Sequence, residues 1–591
     1  MTHADQIVVW LQELGYSHCF FVSGGNSMHL LNAARQRMKC VPVVHEVSAG
    51  IAAEYFNESN LSGSKAFVLV TAGPGLTNLV TSLAGAFLES RELLVIGGQV
   101  KSSDLATNGL RQRGIQEVDG VAIAAPVTKQ VKRIEEPISK PEFFSIVQES
   151  STGRMGPVFL EICLDAQGAP VESLDKSKYS PENKLPLVRN GDANQIQELI
   201  NRLEKSERPI LLLGGGLSRK DCLSLIPLFE QAGIPVMTTW NAADRFDSAH
   251  HLYFGRPNTW GQRSSNMILQ SADLVIAAGT RLSIQQTGFN WTEFVPNGDV
   301  VHIDIDQTEL DKGHPNTALA ICADAYQVLR QLFDAKTKAS RWFQWITTAR
   351  KVRESLPLSE AANGEYHGFL NPFEFAATLS ELCTKNDTVI PCSSGGAFTV
   401  MMQAFNQRSG QVIITNKGLA SMGYGLAGSI GAAIADRSRR TVLVEGDGGF
   451  SQNLQELATV SVQSLNLKIF IFANNGYASI RMTQKNYFDG AYLGCDIESG
   501  LGFPDWQILA RAFKINSMTL SQEFATDKDF LKSWNNNQAC LYVVPIHPEQ
   551  TYFPKISSQV TATGGMESAP LHKMTPPLPR DVTARLGLEL E

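Results

Sequence analysis

The sequence predicts an α/β protein made of three consecutive, doubly wound parallel-sheet domains. Two observations carry that expectation. The stretches 65–99 and 441–477 share one layout: an apolar run ends in a Gly-rich turn, a helical pattern follows, and a second apolar run closes the block. Between them lies another set of apolar runs, PILLLGGG (209–216), ADLVIAAGTRL (272–282) and DVVHIDID (299–306). Strand–helix–strand alternation is the mark of a parallel α/β sheet, and 591 residues suit about three domains.

Along the chain, MTHADQIVVWLQELG reads as an amphipathic helix that carries acids, not as a signal peptide. KAFVLV (65–70), the turn TAGPGLTN, a helical segment to Glu89 and LLVIGGQV complete the first block, expected over 1–180. The polar, Pro- and Lys-containing stretch 169–190 reads as a linker, and the middle domain is expected over 190–353. A second polar stretch, 354–368, leads into the third domain, 365–560. The likeness of the first and third blocks fits an ancient duplication. The Pro-, Ser- and Thr-rich tail, 549–591, is expected to wrap over other parts, with 561–591 outside any domain.

Composition narrows the function. Net charge is −7 with no basic face or acidic tail, so nucleic acid is not suggested. Nine scattered cysteines without a CxxC point to a reducing cytoplasm, away from disulfides and metal clusters. The apolar stretch 418–435 is broken by five glycines, which argues against a transmembrane span.

Chemistry concentrates at 441–477. Two neighbouring parallel strands present their carboxyl ends together, where α/β proteins hold ligands. Asp447 follows the first strand and Asn474 the second. A carboxylate, an amide oxygen and a free backbone carbonyl are hard ligands suited to Mg²⁺ or Ca²⁺, which complete their shells with phosphate oxygens and water. Glycines after Asp447 open a helix whose N–H groups and dipole favour a phosphate. The block reads as a site for a metal-bridged diphosphate.

The spacing, GDG then 25 residues then Asn, resembles the diphosphate-anchoring motif of thiamin-diphosphate (ThDP) enzymes. The resemblance implies metal ligation by Asp447, Asn474 and the carbonyl of Gly476, with Gly446, Gly448 and Gly449 beside the diphosphate. Ala473 stands where the family usually has the first Asn of a pair. The segment HE-x₃-G-x-A-x-E (45–54) resembles the one that carries the family's activating glutamate, here Glu46, and GPG-x-TN (73–78) follows at the usual distance, adding Gly73 and Asn78. Taken alone, Glu46 reads as a half-buried charge at a helix N-terminus. KGLASMGYGLAGSIGAAIAD (417–436) resembles the segment that bends the cofactor, with Met422 as the wedge and the Ala420 carbonyl as acceptor; by itself Met422 is an ordinary core filler. Gln116, in GIQEVD, matches a family glutamine near the reacting carbon, against a plain reading as a solvated polar residue. The three domains then become pyrimidine-binding, FAD-type and diphosphate-binding.

The whole chain is similar to the acetolactate synthase branch, whose middle domain binds FAD. Gly214, Gly215, Gly216, Thr238, Thr239, Gly279, Arg281, Asp304 and Asp324 match positions lining the flavin, and Arg154 matches an arginine that contacts it. The glycines could cradle a pyrophosphate; in relatives that lost the nucleotide they serve only as turns. Two departures stand out. The family's Asp-Asp-Arg triplet, whose arginine grips the carboxylate of a second 2-ketoacid, is replaced by Ser283-Ile284-Gln285. Gln cannot supply a charged fork. The family's QWQ segment is replaced by SIRMTQKNYF (479–488). Simple pyruvate decarboxylases are also disfavoured: the first domain has no adjacent His pair, and Ile480 stands where their proton-donating Glu would be.

SIRMTQKNYF, ESGLGFPDW (498–506) and SAPLHKMTPPLPR (568–580) resemble acetolactate-synthase-like proteins of lipopolysaccharide sugar pathways, such as that to yersiniose A. That resemblance implies decarboxylation of pyruvate and transfer of the two-carbon unit to a nucleotide-linked keto sugar, a CDP-4-keto-3,6-dideoxyhexose. The alternatives are an ordinary acetolactate synthase condensing two pyruvates and a non-catalytic ThDP-fold scaffold. The expected cofactors are ThDP, Mg²⁺ and FAD. The family builds its site between subunits, which implies a homodimer or homotetramer.

Overall fold

Apolar runs without alternation suit strands covered on both faces, and the computed structural model places every expected run in a parallel sheet. It describes residues 1–173, 175, 190–334, 341–560, 564–588 and 590, with backbone alone at 559, 560 and 566. Most of the expected linker, 174 and 176–189, lies outside these residues.

The first sheet holds β1 (Tyr16–Phe21), β2 (Lys39–Pro42), β3 (Lys65–Val70), β4 (Leu93–Gln99), β5 (Gln130–Ile134) and β6 (Pro157–Cys163). They are parallel, in the order β2-β1-β3-β4-β6-β5. The expected N-terminal helix is His3–Glu13, opened by a capping box between Thr2 and Asp5. The middle sheet holds β7 (Pro209–Leu213), β8 (Val236–Thr238), β9 (Leu274–Ala278), β10 (Asp299–Asp304) and β11 (Leu319–Cys322), in the order β11-β10-β9-β7-β8. The third is built on β12 (Thr388–Ile390), β13 (Thr441–Gly446), β14 (Leu467–Ala473), β15 (Asn516–Thr519) and β16 (Cys540–Pro545). Their order, β12-β13-β14-β16-β15, repeats β1-β3-β4-β6-β5 strand for strand.

The chain packs as two compact units. One comprises Met1–Pro186, Asn386–Gly395 and Ile414–Pro545, and so contains the first sheet and these strands of the third. The helix Glu46–Ser59 lies against the helix Tyr424–Ala435 inside it. Glycines permit the approach: a Cβ on Gly428 would sit 2.5 Å from the Tyr55 ring, and one on Gly431 1.9 Å from the Ala52 carbonyl oxygen. Glu54, fully buried, takes 2.7 Å and 3.0 Å hydrogen bonds from Arg91 and Asn416, and one of 3.3 Å from the Tyr424 hydroxyl. Arg91 also donates to the Thr415 carbonyl at 2.6 Å.

The other unit comprises Leu187–Lys385, Gly396–Ile413 and Ile546–Glu591. Residues of the tail, expected outside any domain, pack into this unit because their apolar side chains complete its core. Ile556, Leu571, Met574 and Leu586 are buried in the same apolar core as the middle-sheet strands. Arg263 fastens the tail by donating to the Pro576 carbonyl at 2.7 Å while it pairs with Glu360 at 2.6 Å.

His302, on β10, is 1% exposed and its Nε2 lies 2.8 Å from the Thr280 carbonyl. Burial lowers its pKa from 6.5 to about 4. The unfolded chain therefore binds the extra proton, and the stability this neutral ring contributes is full above pH 6.5 and lost as pH falls toward 4. The slope is at most about 1.4 kcal/mol per pH unit. His302→Gln, which retains an N–H donor, is expected to flatten the acid limb of a urea-unfolding series. An unaltered limb would contradict this.

Candidate functional site

β13 and β14 pair from Thr441↔Leu467 to Gly446↔Phe472, so Asp447 and Asn474 leave the sheet side by side. Asp447 is 1% exposed. Its Oδ1 accepts from the Gly448 N–H at 2.8 Å, and its Oδ2 from those of Asn474 and Gly476 at 3.0 and 3.3 Å. Burial pushes its pKa up to about 7 against the opposing pull of those N–H donors. Asn474 is also buried, and its Oδ1 has no hydrogen-bond partner. A buried carboxylate short of positive charge and an orphaned amide oxygen beside it are two defects that one divalent cation would repair. The residues fit Mg²⁺.

Backbone geometry completes the loop. Asn475 has φ 58°, and a Cβ on Gly476 would lie 2.1 Å from the Cys495 carbonyl oxygen. Arg481, on the helix Ala478–Tyr487, donates to the Asn474 carbonyl at 2.7 Å and to that of Asn475 at 3.4 Å. The helix expected after Asp447 is only one turn, Asp447–Phe450, and the Gly448 N–H is already engaged by Asp447. A one-turn helix offers a phosphate little dipole, so a diphosphate placed here would depend chiefly on a metal. Gly448 packs beneath the Tyr477 ring, 2.2 Å from where a Cβ would be; Gly449 faces Glu445, and Gly446 borders open space.

In the first sheet, Glu46 opens its helix, half-buried, and Asn78 donates to its Oε2 at 2.9 Å. Gly73 has φ 62°, and a Cβ there would meet the Gln116 carbonyl oxygen at 2.2 Å. The turn after β3 thus touches both Glu46, through Asn78, and Gln116, through Gly73. The Gln116 side chain is exposed, while the neighbouring Glu117 carboxylate gathers the N–H groups of Arg113 and Gly114 at 2.8 and 2.9 Å. Ala420 has φ 55°, and the Met422 sulfur lies 3.8 Å from Gln452 Nε2, just beyond the metal loop. Among the described residues no hydrogen bond joins Glu46 to Asp447 or Asn474.

In the other unit, Gly214–Gly216, Thr238–Thr239, Gly279–Arg281, Asp304 and Asp324 all fall at or just past the carboxyl ends of the middle-sheet strands. The strand order reverses between β7 and β9, the crevice position of a doubly wound sheet. Gly279 has φ 64°; the Gly216 N–H donates to its carbonyl at 2.9 Å, and a Cβ on Gly214 would stand 2.1 Å from that oxygen. Close backbone approach therefore accounts for these glycines with or without a nucleotide. The Thr238 hydroxyl pairs with Tyr253 at 3.0 Å, and Asp304 and Asp324 accept from the N–H groups of Asp306 and Gln327 at 2.9 and 3.0 Å. The Thr239 N–H donates to Leu213, and the Arg281 carbonyl accepts from Lys312. Arg154 belongs to the first unit, where its Nε donates to Ser90 at 2.8 Å.

Family models match all three sheet regions: the N-terminal TPP binding domain of thiamine pyrophosphate enzymes over residues 1–123, their central domain over 196–332 and their C-terminal TPP binding domain over 394–541. The chain is 30% identical over 524 residues to the acetolactate synthase large subunit of Corynebacterium glutamicum, covering 86% of this chain and 81% of that protein. The chain belongs to the ThDP-dependent, acetolactate synthase-like family. It is also similar to the acetolactate synthase isozyme 1 large subunit of Escherichia coli K12, 29% identical over 94% of this chain and 96% of the relative. The large subunit from Lactococcus lactis is 29% identical over 94% of both.

Within this family the departures acquire positions. Ser283 precedes the short helix Ile284–Thr287, on which Gln285 is half-buried and Ile284 exposed. Ile480 is exposed on the helix after the metal loop. Among the described residues no helix is long and apolar enough to cross a membrane. Since Arg481 fixes the carbonyls beside the candidate ligands, Arg481→Met is expected to weaken Mg²⁺ affinity by about 10–100-fold, the usual scale for a group behind a metal ligand. Titration of the apoprotein with Mg²⁺ in the presence of ThDP reads the loss. Unchanged affinity would remove Arg481 from the site.

Proposed function

We propose that the chain is a ThDP- and Mg²⁺-dependent carboligase that decarboxylates pyruvate and joins the remaining two-carbon unit to a carbonyl acceptor. The observation that carries this reading is the buried pair of Asp447 with the orphaned Asn474 Oδ1, a donor set that asks for a cation. Asp447, Asn474 and the Gly476 carbonyl would hold Mg²⁺, with Gly446, Gly448 and Gly449 beside the diphosphate. Glu46, oriented by Asn78, would hold a proton against the aminopyrimidine. Ala420 and Met422 would support the cofactor's bent form, and Gln116 would stand near the reacting carbon. ThDP, when bound, supplies the nucleophilic carbon and the electron sink.

Similarity to acetolactate synthases along 94% of the chain supports a second pyruvate as acceptor better than a keto sugar. One observation favours the sugar as a second reading: Ser283-Ile284-Gln285 contains no cation to receive an acceptor carboxylate. FAD in the middle domain, held by the strand-end residues named above, is part of the proposal, as is a homodimer or homotetramer in the cytoplasm. FAD has no redox step in this reaction, so its part would be structural.

The test incubates purified protein with pyruvate, ThDP and Mg²⁺, with and without FAD, and with and without a CDP-4-keto-3,6-dideoxyhexose. CO₂ release with acetolactate from pyruvate alone supports the ordinary condensation. Release that depends on the sugar, with a branched two-carbon adduct, supports the second reading. No release in any mixture overturns the donor assignment. Gln285→Arg is expected to favour pyruvate as acceptor, seen as a larger acetolactate fraction; an unchanged product ratio would sink the pocket argument.

A further inference from the structure

Glu456 has no part in the assignments above, yet it is fully buried, on the 3₁₀ turn Leu454–Glu456 that follows the short helix opened by Asp447. Its carboxylate reaches out of the third-sheet region to the backbone just ahead of Glu46. Oε1 accepts from the N–H groups of Val44 and His45 at 3.1 and 3.0 Å. Oε2 accepts from Val44 again at 3.3 Å and from the Thr459 hydroxyl at 2.7 Å. Helix entries leave backbone N–H groups without intrahelical partners. Here a carboxylate from a different sheet region secures the approach to the helix, through charge-assisted bonds that are stronger than neutral ones.

We infer that Glu456 is the positioning residue for Glu46: it clamps residues 44 and 45, so that the Glu46 carboxyl is aimed from below by the backbone and from the side by Asn78. Two features separate this from ordinary anchoring. The clamp acts on the residues immediately preceding the candidate activator, and Thr459 fixes the rotation of the carboxylate that makes it. The same segment that begins at Asp447 therefore sets the register of the activating group. The inference rests on the ThDP reading.

The test measures solvent exchange of the C2 proton of bound ThDP, which reports activation without turnover, in the full chain with Mg²⁺. Glu456→Gln is expected to slow exchange about tenfold to a hundredfold, the scale of a small misplacement of a reacting group. In a Glu46→Gln background the same change is expected to add less than about twofold, because residues that act through one another are non-additive. An equal loss in both backgrounds overturns the positioning role, as does wild-type exchange in Glu456→Gln. In the apoprotein, amide hydrogen exchange at Val44 and His45 is expected to rise in Glu456→Gln, and unchanged protection counts against the clamp. Should that variant fail to fold, Thr459→Val provides the readout, with a smaller slowing supporting the role and none opposing it. A wild-type chain that leaves exchange at the rate of free ThDP overturns the cofactor reading, and this inference with it.

Discussion

The ion pair between Glu54 and Arg91 sits where the helix Glu46–Ser59 meets the segment 415–424, and the placement of both candidate cofactor segments follows from it. One end of that contact leads to Glu46, the other to Ala420 and Met422. The pair is out of water, so its strength lies in having every partner present. Removing one partner of a buried pair commonly costs about 3–5 kcal/mol, because the other charge is stranded. Gly428 and Gly431 contribute by absence: any side chain there would hold the helices apart and stretch the hydrogen bonds to Glu54. The contact is tight because small residues and a buried charge were combined at one crossing.

The repeated strand order gives the likeness of the two ThDP-type blocks a topological basis. β3 and β13 hold the same place in their sheets, and each is followed by a glycine turn, Gly73-Pro74-Gly75 in one and Gly446-Asp447-Gly448 in the other. The architecture is shared while the chemistry has diverged. In the first, the turn touches Gln116 and, through Asn78, Glu46; in the other it carries a buried carboxylate. The two turns leave equivalent strand ends, and in the proposed reading one orients a proton-handling group on the neighbouring helix while the other carries a cation-binding group.

Much of this was legible in the chain itself. KAFVLV, PILLL and LKIFIF form strands because uninterrupted apolar runs have little alternative to a sheet covered on both faces. The pairing of Asp447 with Asn474 was legible because both follow strands long enough to recognise. Val236–Thr238 and Leu319–Cys322 were not, since three or four residues give no readable period. The one-turn helix after Asp447 escaped for a different reason: the Asp447 side chain takes up the first N–H group, and consecutive glycines propagate a helix poorly. Glu456 and Arg481 lie beyond pattern reading altogether. Each is one charged residue in a helical stretch, and its importance comes from what the fold brings opposite it.

The tail carries a consequence for how the protein is made. The core around β7 to β11 is completed by Leu571, Met574 and Leu586, at the far end of the chain. A ribosome finishes the strands of that sheet long before it reaches those residues. The middle sheet is synthesised second yet is the last to be closed, and its nascent form presents an apolar face throughout synthesis of the entire third block. The order of translation and the order of burial run opposite ways, so the emerging chain must keep that face covered or apart until Leu571, Met574 and Leu586 arrive.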